Sequence, residues 1–301
     1  MHPALSVIFF TTLSGLGYGI WIWVGLRLAF GPAPDGFLPL GIWLLLIAGA
    51  VLTAVGLLSS FWHLGKPLRA WRAFSQWRTS WLSREGAMAA LCFVPAALLW
   101  LAPDAGIPAR VLGMLLALCA LVTVACTAMI YASLKPIPAW RHHLVLPVYL
   151  GFAVLGGGLA WLAMAGGGAW LAGLLAVLAL VLIGMKLGYW RDIDGSALPQ
   201  DRGDAVGLPG RGVRVFEHPH TEANYLTREM GFVVARRHAR TLRLLMLLCL
   251  ATVPIGMLLL AAGLLAPGAW LWLLPAAVLL GSVFERWLFF AQARHLVMLY
   301  Y

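Results

Sequence analysis

Charge is what this sequence has least of. Of its 301 residues only 11% are Asp, Glu, Lys or Arg, whereas 62% are hydrophobic. A soluble domain carries about 25% charged residues, so the composition excludes an ordinary soluble domain and implies a polytopic membrane protein. Acidic side chains are scarcer than basic ones, 11 against 21, for a formal charge of +10. That imbalance does not point to nucleic acid, because the cations gather in particular loops between apolar runs, the pattern of membrane topology. Cysteine is scarce too. Cys92, Cys119, Cys126 and Cys249 all lie inside apolar runs and share no CxxC or metal-like spacing. Disulfides, zinc and an iron–sulfur cluster within this chain are therefore not expected.

Histidine is missing from span interiors. A transmembrane b-type haem needs axial ligands facing each other within the bilayer. His2, His63, His142, His143, His218, His220, His238 and His295 all sit at span ends or in loops, so no haem is expected in this chain. A basic n-region is missing from MHPALSVIFF, and the first apolar run is long enough to span, so it reads as a retained helix and not a cleaved signal.

What is abundant is apolar length. A span needs roughly 20 apolar residues, and eight candidates fit: 5–30, 38–61, 86–102, 110–134, 144–166, 169–190, 243–265 and 270–291. The fold class is all-α, a single integral membrane domain over 1–301. It divides into two four-helix units, 1–143 with the 62–85 loop and 144–301 with the 191–242 loop. Small-residue runs, Ser14–Gly19 within the first span and Gly151–Gly158 opening the fifth, hint at that duplication and allow close helix approach. A quinone ring fits the same kind of gap.

With eight spans, both termini share one side with the loops at 62–85, 135–143 and 191–242. Those loops hold most of the cations, so this face is expected to be cytoplasmic. The longest loop is rich in Gly, Pro and Asp in its first half and reads as irregular. Its second half reads as a short helix leading into the seventh span, with Thr221 to Asn224 as starting side chains. A loop this long suits the docking of a soluble protein, or is simply solvated.

The segment HLGKPLRAWRAFSQWRTSWLSRE, His63 to Glu85, carries the chemistry. It is basic and rich in tryptophan, with interfacial anchoring the general account of the tryptophans. Quinone reduction or quinol oxidation moves two protons with two electrons, so its site needs hydrogen-bonding groups for two ring oxygens and a proton-exchanging group near water. His63, at the exit of span two, titrates near neutrality. Glu85 opens span three, and Tyr131 arrives at the same face near the end of span four. The plainer readings are a capping histidine and a glutamate paired with Arg84 or Arg69. Lys186 and Arg27 lie near enough to span ends to snorkel. Glu285–Arg286 reads as a local, self-neutralising pair.

MHPALSVIFFTTLSGLGYG, HLGKPLRAWRAFSQWRTSWLSRE, YASLKPIPAWRH and HPHTEANYLTREMGFVVARRHA, in this order along nearly the whole chain, together resemble the DmsC family. Its members are membrane-anchor subunits of dimethyl-sulfoxide-reductase-type molybdoenzymes, within the NrfD-like group. The resemblance implies an anchor with no cofactor of its own that exchanges electrons between membrane quinone and an iron–sulfur partner bearing [4Fe–4S] clusters. That partner in turn serves a catalytic subunit with molybdopterin. The resemblance also implies quinol binding at a histidine closing helix two and a glutamate opening helix three, here His63 and Glu85, while Tyr131 rests on position alone. Lys66, Arg69, Arg72, Arg78 and Arg228 contact either the partner or lipid head groups.

The host membrane is then the bacterial cytoplasmic membrane, with partners docked on the cytoplasmic face. Related sulfite-oxidising complexes (Soe type) keep their catalytic subunit there, whereas DMSO reductases export theirs. Topology and analogy therefore point to sulfite:quinone oxidation. A quinol-oxidising anchor of a DMSO or polysulfide reductase is the alternative within the family. A non-redox transporter or a purely structural anchor is the alternative outside it.

Overall fold

A computed structural model describes residues 4–32, 37–63, 66–101, 107–196, 198–217 and 238–300. Its regular elements are helices. Among the described residues eight are long and apolar enough to cross a membrane. They are α1 (Leu5–Phe30), α2 (Leu40–Ser60), α3 (Trp81–Leu101), α4 (Ile107–Ala132), α5 (Val145–Ala165), α6 (Ala169–Gly195), α7 (Ala239–Ala261) and α8 (Leu273–Ala291), the last led in by a 3₁₀ turn at Ala269–Trp272. Two 3₁₀ stretches, Phe61–His63 and Pro67–Gln76, join α2 to α3.

Four helices begin or end further out than hydropathy places them, α4 by three residues, at Ile107. α3 starts at Trp81, not 86, because its polar first turn is satisfied locally. The Arg84 guanidinium donates to the carbonyls of Trp77 and Arg78 and lies 4.3 Å from the centre of the Trp81 ring. α6 continues to Gly195, where Asp192 meets His142 and Asp194 meets Arg243. α7 begins at Ala239. Charged side chains end an apolar run without ending a helix. The irregular half of the long loop therefore starts only after α6, and it includes one helical turn, Arg202–Ala205, capped reciprocally by Asp201 and Asp204. The second half of that loop, with Thr221, Asn224 and Arg228, lies outside the described residues.

α1 and α5 are the innermost helices. They cross where Gly19 faces Gly157, so closely that a Cβ on either glycine would fall on the other helix's backbone. Close backbone approach through small residues is how membrane helices gain dispersion contact without a hydrophobic driving force. Trp21 is fully buried and donates to the Leu46 carbonyl at 3.1 Å, and Trp23 donates to Val154 at 2.9 Å. These two tryptophans tie α1 to α2 and α5 and are not interfacial anchors. Trp62, Trp71 and Trp77, near the basic end, are exposed. The break between α5 and α6 falls at Gly166, whose φ of 72° lies in the left-handed region that glycine adopts without strain. α3 leans on α4 and barely touches α2.

Candidate functional site

The basic face is formed by the first residues of α1, α3, α5 and α7 and the last of α2, α4, α6 and α8. Counting inward at 1.5 Å per residue, Glu85 in α3, Thr127 in α4, Tyr149 in α5 and Arg286 in α8 all lie roughly 6–8 Å below that face. Helices of alternating direction thus bring four polar side chains from distant parts of the sequence to one depth.

Glu85 is 4% exposed and accepts a hydrogen bond from the Thr127 hydroxyl, whose oxygen also lies 3.1 Å from the Thr123 carbonyl. It pairs with neither Arg84 nor Arg69. Arg84 is spent on backbone carbonyls, and Arg69 is exposed. A buried carboxylate held by one hydroxyl, with no cation paired to it among the described residues, is costly unless it exchanges a proton or serves a ligand.

Thr127 also lines a cavity of about 30 Å³ between α1, α4, α5 and α8. Thr11, Thr12, Ser14, Tyr18, Tyr149, Ser282 and Arg286 supply its polar wall. The hydroxyls of Tyr18 and Tyr149 are buried there without a hydrogen-bond partner. This volume suits about two water molecules, not a quinone ring.

Beyond the cavity lies a charged cluster. Lys186 Nζ donates to Glu285 Oε1 at 2.7 Å, and Arg286 Nη1 lies 2.7 Å from Glu285 Oε2. All three are buried, Lys186 at 2% exposure. Lys186 therefore does not snorkel. It turns inward, over the rings of Tyr189 and Trp190 at 4.2 and 5.2 Å. Glu285–Arg286 is accordingly part of a triad with net charge +1, not a self-neutralising pair. The Arg286 guanidinium sits 3.2 Å over the Tyr149 ring, in the attractive position for a cation above an aromatic face.

Tyr131 stands one turn above Thr127 on the same face of α4. It does not line the cavity. It packs among Trp140, Tyr149, Phe289 and Phe290, with ring centres 5.1–6.1 Å apart, and this cluster closes the bundle toward the basic face. His63 ends the 3₁₀ turn after α2, and its imidazole falls outside the described residues. Lys66, Arg69, Arg72 and Arg78 are exposed along the α2–α3 connection.

Farther along the basic face, His142 bonds Asp192 at 3.1 Å. Burial pushes this imidazole below its usual range, and the Asp192 carboxylate pulls it part of the way back. Both line an open cleft of about 600 Å³ with Arg240, Arg243 and Arg294. Among the described residues, no three metal-ligating side chains converge.

Sequence reasoning did not find Thr127, Tyr18 or Tyr149, and it read Lys186 as a snorkelling group. Lys186 carried the available signal, an ionisable group in an apolar run.

Eight apolar helices and an internal polar seam define a multi-pass helical membrane protein. Residues 1–291 match the family model for the DMSO reductase anchor subunit (DmsC). The chain also aligns over its full length, and over 99% of the relative, with a sulfite dehydrogenase subunit of Allochromatium vinosum, at 33% identity across 328 positions. The chain belongs to the DmsC family of anchor subunits.

Proposed function

We propose that this chain is the quinone-reactive membrane anchor of a molybdopterin and iron–sulfur oxidoreductase. It exchanges electrons between membrane quinone and a [4Fe–4S] partner docked on its basic, cytoplasmic face in the bacterial inner membrane, and the complex oxidises sulfite. The observation that carries this reading is Glu85, buried about one turn below the basic face, paired with no cation among the described residues, and bonded to Thr127 at the edge of a polar cavity. The name of the 33% identical relative supports sulfite as substrate.

The cavity is too small for a ring, so the quinone meets this machinery at the Glu85 end, between α2 and α3. These helices pack sparsely against each other, and Leu58, Trp62 and Leu82 expose an apolar flank there through which a prenylated ring is reached from lipid. Reduction of the ring consumes two electrons from the partner and two protons. Glu85 and His63 hold and deliver those protons. Lys66, Arg69, Arg72, Arg78 and Arg228 present positive charge to the docked partner or to acidic head groups.

The test uses the complex purified from membranes, with sulfite as donor and either a soluble quinone analogue or an artificial dye as acceptor. His63→Ala and Glu85→Ala should lose quinone-coupled turnover by roughly 10²-fold or more and keep dye-linked turnover. Unchanged quinone turnover in both variants refutes the assignment of these residues. Purification without iron and molybdenum refutes the anchor role. Turnover with dimethyl sulfoxide and quinol, and none with sulfite, selects the reductase reading.

A further inference from the structure

The charged triad lies across the cavity from Glu85 and is not needed to hold a quinone ring. Three ionisable side chains buried among apolar helices are expensive to desolvate, so their arrangement calls for an account. Glu285 is buried at 1% and holds Lys186 and Arg286 at 2.7 Å each. Arg286 reaches the wall of the 30 Å³ cavity that Thr127 borders on the opposite side. Tyr18 and Tyr149 line the cavity as well, and among the described residues their hydroxyls, nine-tenths buried or more, have no hydrogen-bond partner. A buried hydroxyl without a partner is costly. Two of them beside Arg286, Ser282 and Thr127 give a water molecule the two to four polar contacts it needs.

On the far side of the triad a second void, about 10 Å³, is bordered by Lys186, Glu285, Tyr149 and Tyr189. The Tyr189 ring lies edge-on to His142 at 5.1 Å. His142 and its partner Asp192 line the open cleft at the basic face. The rings of Tyr131, Trp140, Phe289 and Phe290 pack together near the ends of α4 and α8, on the basic side.

We propose that the cavity and the Lys186–Glu285–Arg286 triad form a hydrated proton relay joining Glu85 to the His142–Asp192 cleft. Each proton that Glu85 gives up is replaced along hydroxyls, enclosed water and the Glu285–Lys186 contact, from water at the basic face. Glu285 and Lys186 exchange the proton between a carboxylate and an ammonium. Arg286 stays charged, and positions Tyr149 by stacking on its ring. The proposal rests on the quinone reading for its purpose but not for its test.

That test is a pH jump on the purified complex, followed by infrared absorption of the Glu85 carboxyl, assigned by its loss in Glu85→Gln. Lys186→Met removes the far end of the relay and leaves Glu285–Arg286 as a balanced pair. Tyr149→Phe removes only a hydroxyl. Each should slow the Glu85 response by roughly tenfold or more, as should Thr127→Val, with Thr127→Ser restoring it. A Glu85 response as fast in Lys186→Met and Tyr149→Phe as in the parent, or a Glu85 band that never follows bulk pH, overturns the relay. The quinone reading fails separately, through unchanged quinone turnover in His63→Ala and Glu85→Ala.

Discussion

Removing the carboxylate from the buried triad should destabilise the protein far more than removing the lysine. Glu285 touches both cations at 2.7 Å, and all three side chains are at most 3% exposed. With an effective dielectric of about 20, one such contact is worth roughly 6 kcal/mol before desolvation is counted. Glu285→Gln cancels two of them and leaves Lys186 and Arg286 as uncompensated buried cations. Breaking a buried pair by deleting one partner costs about 3–5 kcal/mol, and this change strands two charges. Lys186→Met loses one contact, but it also removes the desolvation cost of an ammonium and leaves the Glu285–Arg286 pair balanced. Its net cost should be about 1–2 kcal/mol or less, since a buried ion pair is often matched by a well-packed apolar replacement. Thermal unfolding of the detergent-solubilised complex, read as the loss of a monodisperse elution peak, compares the two. Lys186→Met should elute intact well above the temperature at which Glu285→Gln is lost. An equal loss, or a Lys186→Met protein less stable than Glu285→Gln, would refute the reasoning that Glu285 holds both cations in place.

Further outcomes follow from the packing and the basic face. Gly157→Val places branched carbons against the Gly19 backbone and should cost about 1–3 kcal/mol or more by forcing α1 and α5 apart. Gly173→Ala has open space around it and should be neutral or stabilising by up to about 1 kcal/mol, and the two midpoints measured side by side decide the point. For His142 the sign runs one way. Its folded value is depressed by burial, so the unfolded chain binds more protons, and this contribution to stability is complete above about pH 6.5 and is lost as pH falls below it. His142→Gln should flatten that part of the pH–stability curve, and an unchanged slope counts against it. Ser75→Cys on the exposed 3₁₀ stretch should react with a membrane-impermeant maleimide in inside-out vesicles and not in intact cells. The reverse pattern would invert the cytoplasmic assignment of the basic face.

The eight helices were legible because length and hydropathy suffice to mark a span, and the Gly166–Gly168 break because glycine alone tolerates that backbone. What lies inside the bundle was far harder to read. In a soluble helix the buried face announces itself by apolar periodicity, but in a membrane the lipid-facing side is as apolar as the core. α5 and α1 are apolar on every side, so their sequences do not say which residues turn inward. Only small residues and stray polar groups carry that information. The glycines inside α1 and α5 did so correctly, with Gly19 against Gly157. Lys186 was misread because the distance to a span end is a one-helix argument, and four residues from the end of the 169–190 run looks close enough to reach water, whereas α6 continues to Gly195. Its actual partner lies 99 residues away in sequence, on a helix whose own glutamate seemed already matched by its neighbouring arginine. Thr127 and Tyr149 were invisible for the same reason, since an isolated hydroxyl in an apolar run usually bonds its own backbone, as Thr11 and Thr12 do. An ionisable residue inside a span therefore reads better as the end of a cross-helix contact than as a snorkelling surface group. Its partner is to be sought at the same depth on every other helix, which here brings Lys186, Glu285 and Arg286 together before any coordinate is known.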